Sequence, residues 1–343
     1  MRVGMYYSNS KVNVEELPIP SVGKKDILVK VMASGICGSD VLEWYRIKKA
    51  PLVLGHELTG EVVEVGKEIT KFQRGDRVFT THHVPCDECH WCLNGHQTAC
   101  PVFQTKSNFD PGGFSEYLRV SGRSVDTGTF LLPDEISYEE GSFIEPLGTV
   151  VRGLRAVALK PGDSLLVLGC GIAGLLMIKL ARSLGAGRII ATDINDYRLH
   201  AAKRFGATES IRADGDIPSS VRKVNNGRLA GKVIVCAGVL SAAQQALESV
   251  DPGGTILFFA VPNPGETLNV DLNPFWRNDI GLKTCYGAAP ADNSQAMELI
   301  RAGNIDVKDL ITHRFSLDEI SKGFKAASEG KNCLKVIIKP HKG

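Results

Sequence analysis

The chain has 343 residues, a length for about two domains, and its 43% hydrophobic residues can fill both cores. Lys and Arg (40) nearly balance Asp and Glu (38), and a net charge of +2 argues against nucleic acid or an anionic membrane as partner, so a small molecule is expected. Residues 1–11 carry no charged-then-apolar targeting signal, and the most apolar stretch, 165–178, is too short to span a bilayer and holds three glycines, so a soluble, cytoplasmic protein is expected. Nine cysteines is an odd number, and four fall within fifteen positions, which fits metal binding in a reducing compartment better than a disulfide framework.

Up to about residue 130 the pattern is one of short strands: residues 27–31 and 60–65 alternate, residues 75–79 follow a turn, and Gly and Pro punctuate every few positions. This predicts an irregular, mostly antiparallel barrel or sandwich. Within it, Gly55-His56-Glu57 lies between the apolar run Pro51-Leu52-Val53-Leu54 and the strand from Gly60, which puts an imidazole and a carboxylate at a strand edge. His56 by itself reads as an ordinary hydrogen-bonded histidine. Its context changes that reading: Cys37 in Ile36-Cys37-Gly38-Ser39-Asp40 and Glu145 in Ile144-Glu145-Pro146-Leu147-Gly148 supply further donors. One thiolate, one imidazole and one or two carboxylates suit a zinc ion with room left for substrate. Without such ligands the region would be an all-β binding module.

Cys86-Asp87-Glu88-Cys89-His90-Trp91-Cys92, with Cys100 after seven more residues, lets four thiolates converge on one tetrahedral ion. Four thiolates close the coordination sphere, so this zinc is expected to be structural. A thiol redox switch needs two cysteines rather than four, and a nucleic-acid zinc ribbon needs basic flanks that are missing here. His90 and His96 are then surplus and solvated, and His82 and His83, at a strand exit, are expected to play no catalytic part.

After Asp163 strands alternate with helices: residues 164–168 read as a buried parallel strand, Gly169-Cys170-Gly171-Ile172-Ala173-Gly174 as a glycine-rich turn, and residues 175–184 as a helix stopped by Gly185. The strand over 188–192 ends in Asp193, nineteen residues beyond Gly174. A lone G-x-G-x-x-G is weak, but strand, turn, helix and acid together read as a dinucleotide site. The glycines let backbone approach a pyrophosphate at the positive end of the helix. Asp193 would bind an adenosine ribose and repel a 2′-phosphate, favouring NAD over NADP, and Arg198 would offset this if it reached the ribose. Residues 232–236, 255–261 and 281–286 read as further buried strands, with a helix over 241–250; Cys236, Ala260, Cys285 and Tyr286, at the carboxyl ends of strands, become candidate nicotinamide neighbours. Helices near 294–301 and 317–327 and a strand over 334–338 close the chain, a tail able to return to the first domain and leave the cofactor in a cleft.

With Cys37-Gly38-Ser39-Asp40, Gly55-His56-Glu57, the four-cysteine loop, Glu145-Pro146-Leu147 and the Gly169, Gly171, Gly174 turn in this order, essentially the whole chain resembles the zinc-containing medium-chain alcohol dehydrogenases, most closely their sorbitol and L-threonine dehydrogenase branch. The resemblance implies an α/β protein with a GroES-like, mostly β catalytic domain (1–148, completed by 288–343) and a Rossmann doubly wound parallel-sheet domain (149–287) binding NAD. It also implies a homo-oligomer, a tetramer or dimer. Cys37, His56, and Glu57 or Glu145 would bind a catalytic zinc, and Cys86, Cys89, Cys92 and Cys100 a structural one. An alcohol activated at that zinc would give hydride to the nicotinamide, with Ser39 as first carrier of the released proton. Five residues beyond Cys37, where relatives commonly carry a histidine, stands Leu42, so the relay beyond Ser39 and an assignment to threonine or sorbitol stay open. Glu43, Trp44 and Phe109 are loop positions that either face substrate or pack. The competing readings are a non-catalytic NAD- and zinc-binding protein of the same fold and a zinc-independent quinone or enoyl reductase.

Overall fold

The computed structural model describes residues 1–341, which divide into two units: Met1–Gly148 together with the chain from Gly287 onward, and Thr149–Tyr286. In chain order the first unit sets down β1 (Arg2–Ser8), β2 (Lys11–Glu16), β3 (Ile27–Gly35), β4 (Leu52–Val53), β5 (Glu57–Val65), β6 (Arg77–Thr80), β7 (Phe109–Asp110), β8 (Tyr117–Val120) and β9 (Thr129–Leu131). The period-2 pattern of β3 sends Ile27, Val29 and Val31 into one apolar cluster with Leu58, Val62, Val78, Leu118 and Val120, all fully buried. Each such side chain contributes about 1.5–3 kcal/mol by leaving water, so the barrel's frame rests on these strands. Antiparallel pairing of β3 with β5 sets Gly35 opposite Glu57, and that register positions everything that follows.

The second unit contains β10 (Leu165–Leu168), β11 (Ile189–Asp193), β12 (Glu209–Arg212), β13 (Ala230–Val235), β14 (Val250–Phe258) and β15 (Gly281–Thr284) in one parallel sheet of order β12-β11-β10-β13-β14-β15. The chain winds outward from β10 to one side, then returns and winds to the other, so the direction reverses between β10 and β13. That reversal opens the crevice in which doubly wound sheets bind ligands. The residues of β10 are buried on both faces, which is why Leu165-Leu166-Val167-Leu168 is a continuous apolar run rather than an alternating one.

Several sequence expectations are corrected here. The helix after the glycine turn runs over Ile172–Ser183, so Ile172, Ala173 and Gly174 form its first turn rather than a loop before it. The stretch read as a last buried strand is shorter, and β15 is an exposed edge with Leu282 41% accessible; Cys285 and Tyr286 lie beyond it. An apolar run cannot by itself distinguish a covered strand from an uncovered one. β12, with the helices Asp196–Arg204 and Ile217–Val224 on either side of it, escaped the reading because Glu-Ser-Ile-Arg is a half-buried edge strand with no apolar run.

The tail carries the helix Pro290–Arg301, β16 (Ile311–Ser316), the helix Ile320–Glu329 and β17 (Lys335–Lys339). β17 adds to the first unit's sheet antiparallel to β3, with Ile337 opposite Gly35 and Ile338 opposite Ser34. Arg314 and Lys339 both reach Glu139, at 2.8 and 2.7 Å, fastening the tail at the surface. Among the described residues, no helix is long and apolar enough to cross a membrane.

Candidate metal centres and nucleotide site

The β3–β5 register builds the first site. Two residues beyond Gly35 comes Cys37, and one residue before Glu57 comes His56, so the pairing that sets Gly35 against Glu57 brings all three side chains to one end of the sheet. Cys37 Sγ, a ring nitrogen of His56 and a carboxylate oxygen of Glu57 lie within 4.8 Å of one another. Gly35 has no alternative at its position: a Cβ there would stand 2.5 Å from Glu57 Oε2 and 2.7 Å from Lys335 Cε.

Around this trio the charges are ordered. Asp40, fully buried, accepts from the Cys37 backbone N–H at 3.1 Å and holds Oδ1 3.5 Å from His56 Nδ1 and 3.3 Å from Arg46 Nη2. With Nδ1 turned to a carboxylate, Nε2 is the nitrogen left for a metal. Burial alone would raise the Asp40 pKa, but His56, Arg46 and the Cys37 N–H overcome it and hold it low. Burial likewise disfavours the imidazolium of His56, yet Asp40 and the Cys37 thiolate push its pKa well up. Glu57 Oε2 is bonded to Lys335 Nζ, which also donates to the Ile36 carbonyl at 3.2 Å. Its other oxygen, Oε1, is buried with no hydrogen-bond partner. Glu145, on the first turn of the helix Ile144–Ala156, stands outside the tight trio. Burial, with Glu57 adding to it and His56 opposing, pushes Glu145 up to about 7.

These residues fit a divalent cation. Cys37, His56 and Glu57 bring a sulfur, a ring nitrogen and a carboxylate oxygen together, with the acids Asp40 and Glu145 beside them and Arg46 and Lys335 as the neighbouring fixed cations. The orphaned Glu57 Oε1 is an acceptor that no hydrogen-bond donor meets, as expected of a ligand position. Ser39 lies alongside, its Oγ accepting from Arg46 Nη2 at 3.0 Å, which leaves its own O–H free to donate.

The positions beside the trio are less uniform. Glu43 Oε1 accepts from the Asn9 backbone N–H at 2.9 Å and so braces the β1–β2 turn, while Leu42 and Trp44 are exposed. Phe109 belongs to the barrel core and also packs its ring 5.8 Å from that of His82. His82 and His83, expected to play no catalytic part, lie close to the trio: the His82 ring centre is 5.0 Å from that of His56 and 3.8 Å from that of His83. Asp40, Arg46 and Lys335 were also missed as parts of the site. Asp40 sat inside a quoted motif, but nothing in the sequence ties Lys335 to Glu57 across 278 positions.

In the second cluster, Cys86, Cys89, Cys92 and Cys100 converge with their sulfur atoms within 4.8 Å of one another. The sulfur–sulfur separations, 4.0 Å for Cys86–Cys92, 3.5 Å for Cys89–Cys92 and 3.6 Å for Cys86–Cys100, bracket the roughly 3.8 Å edge of a tetrahedron with Zn–S bonds of about 2.3 Å. They are far from the roughly 2.05 Å of a disulfide. Burial works against thiolate at Cys100, but backbone N–H groups of Phe103 and Cys86 overcome it and bring that thiol down to about 6. His90 and His96 are exposed, clear of the cradle.

The third site is the turn after β10. Gly174 has no room for a side chain, since a Cβ there would stand 2.0 Å from the Gly169 carbonyl oxygen. Gly171, the residue capping the helix, has open space where its Cβ would be and no side-chain cap, so the first-turn N–H groups face a cradle that an anion can enter. Asp193 is nearly buried at the end of β11, with Oδ2 accepting from Cys170 N at 2.7 Å and Oδ1 from Asn195 N at 2.8 Å. It therefore braces the turn with both oxygens, a task the sequence reading did not give it. Arg198 is half-buried with Nε unpartnered, and Cys236, Ala260, Cys285 and Tyr286 follow the ends of β13, β14 and β15.

Comparison with known proteins bears on the family. Residues 23–128 match the alcohol dehydrogenase GroES-like domain, and residues 173–302 match the zinc-binding dehydrogenase domain. The chain is 34% identical to the sorbitol dehydrogenase of Bacillus subtilis (strain 168), over all of this chain and 98% of that protein (100% and 98%). It is 33% identical to an L-threonine 3-dehydrogenase of Bacillus licheniformis, covering 95% of this chain and 94% of the other. Its fold superposes on the alcohol dehydrogenase TADH from Thermus sp. ATN1 with a TM-score of 0.88, at 30% identity and 99% coverage of both chains. A barrel gathering Cys37, His56 and Glu57, a second cluster of four thiols, a parallel sheet with a glycine turn, and full-length similarity at this level have one common source: the chain belongs to the zinc-containing medium-chain alcohol dehydrogenase family.

Proposed function

We propose that this protein oxidises secondary alcohols or polyols, passing hydride to NAD⁺, and that it holds two zinc ions. The observation that carries the reading is the trio of Cys37, His56 and Glu57 with the orphaned Glu57 Oε1, a donor set with an open side rather than a closed one. Cys37, His56 and either Glu57 or Glu145 hold the catalytic ion, and the four-cysteine cradle holds a structural one. A bound zinc would supply the charge that acidifies a substrate hydroxyl, and a bound nicotinamide would supply the hydride acceptor. The chain's own residues do the rest. Asp40 fixes the His56 ring so that Nε2 is left for an ion, Lys335 pairs with the buried Glu57 carboxylate, and Ser39, held by Arg46 at its hydroxyl oxygen, would take the released proton toward solvent. Asp193 beside the turn favours NAD, because its charge repels a 2′-phosphate.

The test is reduction of NAD⁺ and NADP⁺ by the zinc-loaded protein with secondary alcohols, polyols and L-threonine. Turnover with NAD⁺ at least about tenfold more efficient than with NADP⁺ is expected. A complete absence of turnover across the set would instead favour the non-catalytic binding protein.

We further propose that the protein assembles with copies of itself in the cytoplasm. The edge strand β15 and its surroundings expose Leu272 at 65%, Trp276 at 79% and Val261 at 61%, an apolar surface of the kind that association covers. Sedimentation equilibrium is expected to give a dimer or tetramer, and Trp276→Asp to shift it toward monomer; a wild-type monomer would remove the proposal.

A further inference from the structure

His82 has a geometry that the proposed activity leaves unused. Its backbone carbonyl accepts two hydrogen bonds from Asn108, from the main-chain N–H at 3.0 Å and from Nδ2 at 3.1 Å, so the residue is pinned just past the end of β6. Its ring is held between that of His83 at 3.8 Å and that of Phe109 at 5.8 Å, and faces the ring of His56 at 5.0 Å. His83 is satisfied through its Nδ1 contact with the Lys106 carbonyl at 2.7 Å, but Nδ1 of His82 is buried with no partner among the described residues. Leaving a buried ring nitrogen unpaired costs about 1–3 kcal/mol, and native proteins keep such groups where a ligand or water completes them. Arg46, whose charge acts on His82, is committed to Asp40 and Ser39 and so is not free to pair with a phosphate or carboxylate there. An imidazole presents one donor and one acceptor, the complement of a hydroxyl.

We propose that His82 is a specificity-determining residue that binds a second hydroxyl of the substrate, on the carbon next to the one oxidised, and thereby selects vicinal diols over monohydric alcohols. This rests on the dehydrogenase reading only for the placement of the carbinol beside His56. An apolar wall, as Phe109 supplies next to it, would not discriminate between these substrates. A pinned imidazole does, because a monohydric alcohol seals the pocket and leaves the nitrogen unpaired.

The experiment is isothermal titration of 2,3-butanediol and of 2-butanol into the zinc-loaded protein with NADH bound, for wild type, His82→Phe and His82→Gln, with turnover of both alcohols measured on the same preparations. Wild type is expected to bind the diol about thirtyfold more tightly than 2-butanol, about 2 kcal/mol at 1.4 kcal/mol per tenfold. His82→Phe is expected to bring that ratio to within about threefold while 2-butanol binding holds, and His82→Gln, which keeps a donor and an acceptor, to retain part of the preference. An unchanged ratio in His82→Phe overturns the proposal, as does equal weakening of both ligands, or a wild type that binds the two alike or binds neither. The activity reading fails separately: a diol preference that depends on His82, in a protein that forms no NADH with either alcohol, would remove the dehydrogenase and leave the diol site.

Discussion

Cys37→Ala is expected to lower zinc from two ions per chain to one and to reduce alcohol turnover by at least about 10³-fold, the scale of several kcal/mol of charge stabilisation by a catalytic metal. The reasoning is geometric. Cys37 is the one sulfur donor in the trio, and without it the site keeps one imidazole and a single carboxylate already shared with Lys335. The four-cysteine cradle lies in a different loop and makes its sulfur contacts within itself, so its ion should stay. Metal analysis of wild type and variant, with circular dichroism to verify the fold, reads both numbers. One zinc in each form with no turnover would end the dehydrogenase reading and support a binding protein that retains only the structural ion.

Lys335→Met should destabilise the first unit by about 3–5 kcal/mol, the cost of breaking a buried ion pair from one side. Both partners are buried: Lys335 lies against Glu57, the Ile36 carbonyl and the ring of Phe143. Burial alone would strip the lysine of its proton, and it stays charged because Glu57, Cys37 and Asp40 surround it. Removing the ammonium leaves the Glu57 carboxylate desolvated with neither oxygen paired. The double variant Lys335→Met, Glu57→Leu removes both charges and should recover most of the loss, since replacing both members of a buried pair by hydrophobic residues of similar volume is often close to neutral. Urea unfolding of the single and double variants with the structural zinc retained measures the difference. Equal destabilisation of the two would show that packing of the lysine stem, rather than its charge, holds β17 against β3.

The candidate metal donors and the glycine turn were legible in the sequence because their spacing is local. Cys86, Cys89, Cys92 and Cys100 share one loop, and Gly169, Gly171 and Gly174 share one turn, so the chemistry can be read without knowing where distant segments go. Cys37 and His56 were legible for a related reason: each sits beside a strand of the same barrel, and antiparallel pairing of neighbours brings such edges together. What surrounds them was not legible. Asp40 could be seen in the sequence, but its role depends on a 3.5 Å approach to His56 that only the turn after β3 creates. His82 reads as one more histidine at a strand exit until the chain stacks it against His56.

The sequence by itself determined which side chains are candidates for metal and nucleotide, because ligand type and short-range spacing are properties of the chain. Only the tertiary structure decided how those groups are charged and which of them are left unpaired. Lys335 reaches Glu57, 278 positions away in sequence, because β17 returns to pair with β3, and burial there makes the pairing energetically consequential. A carboxylate's partner, and a histidine's lack of one, are set by segments far apart in the chain that meet in a medium where water no longer equalises them.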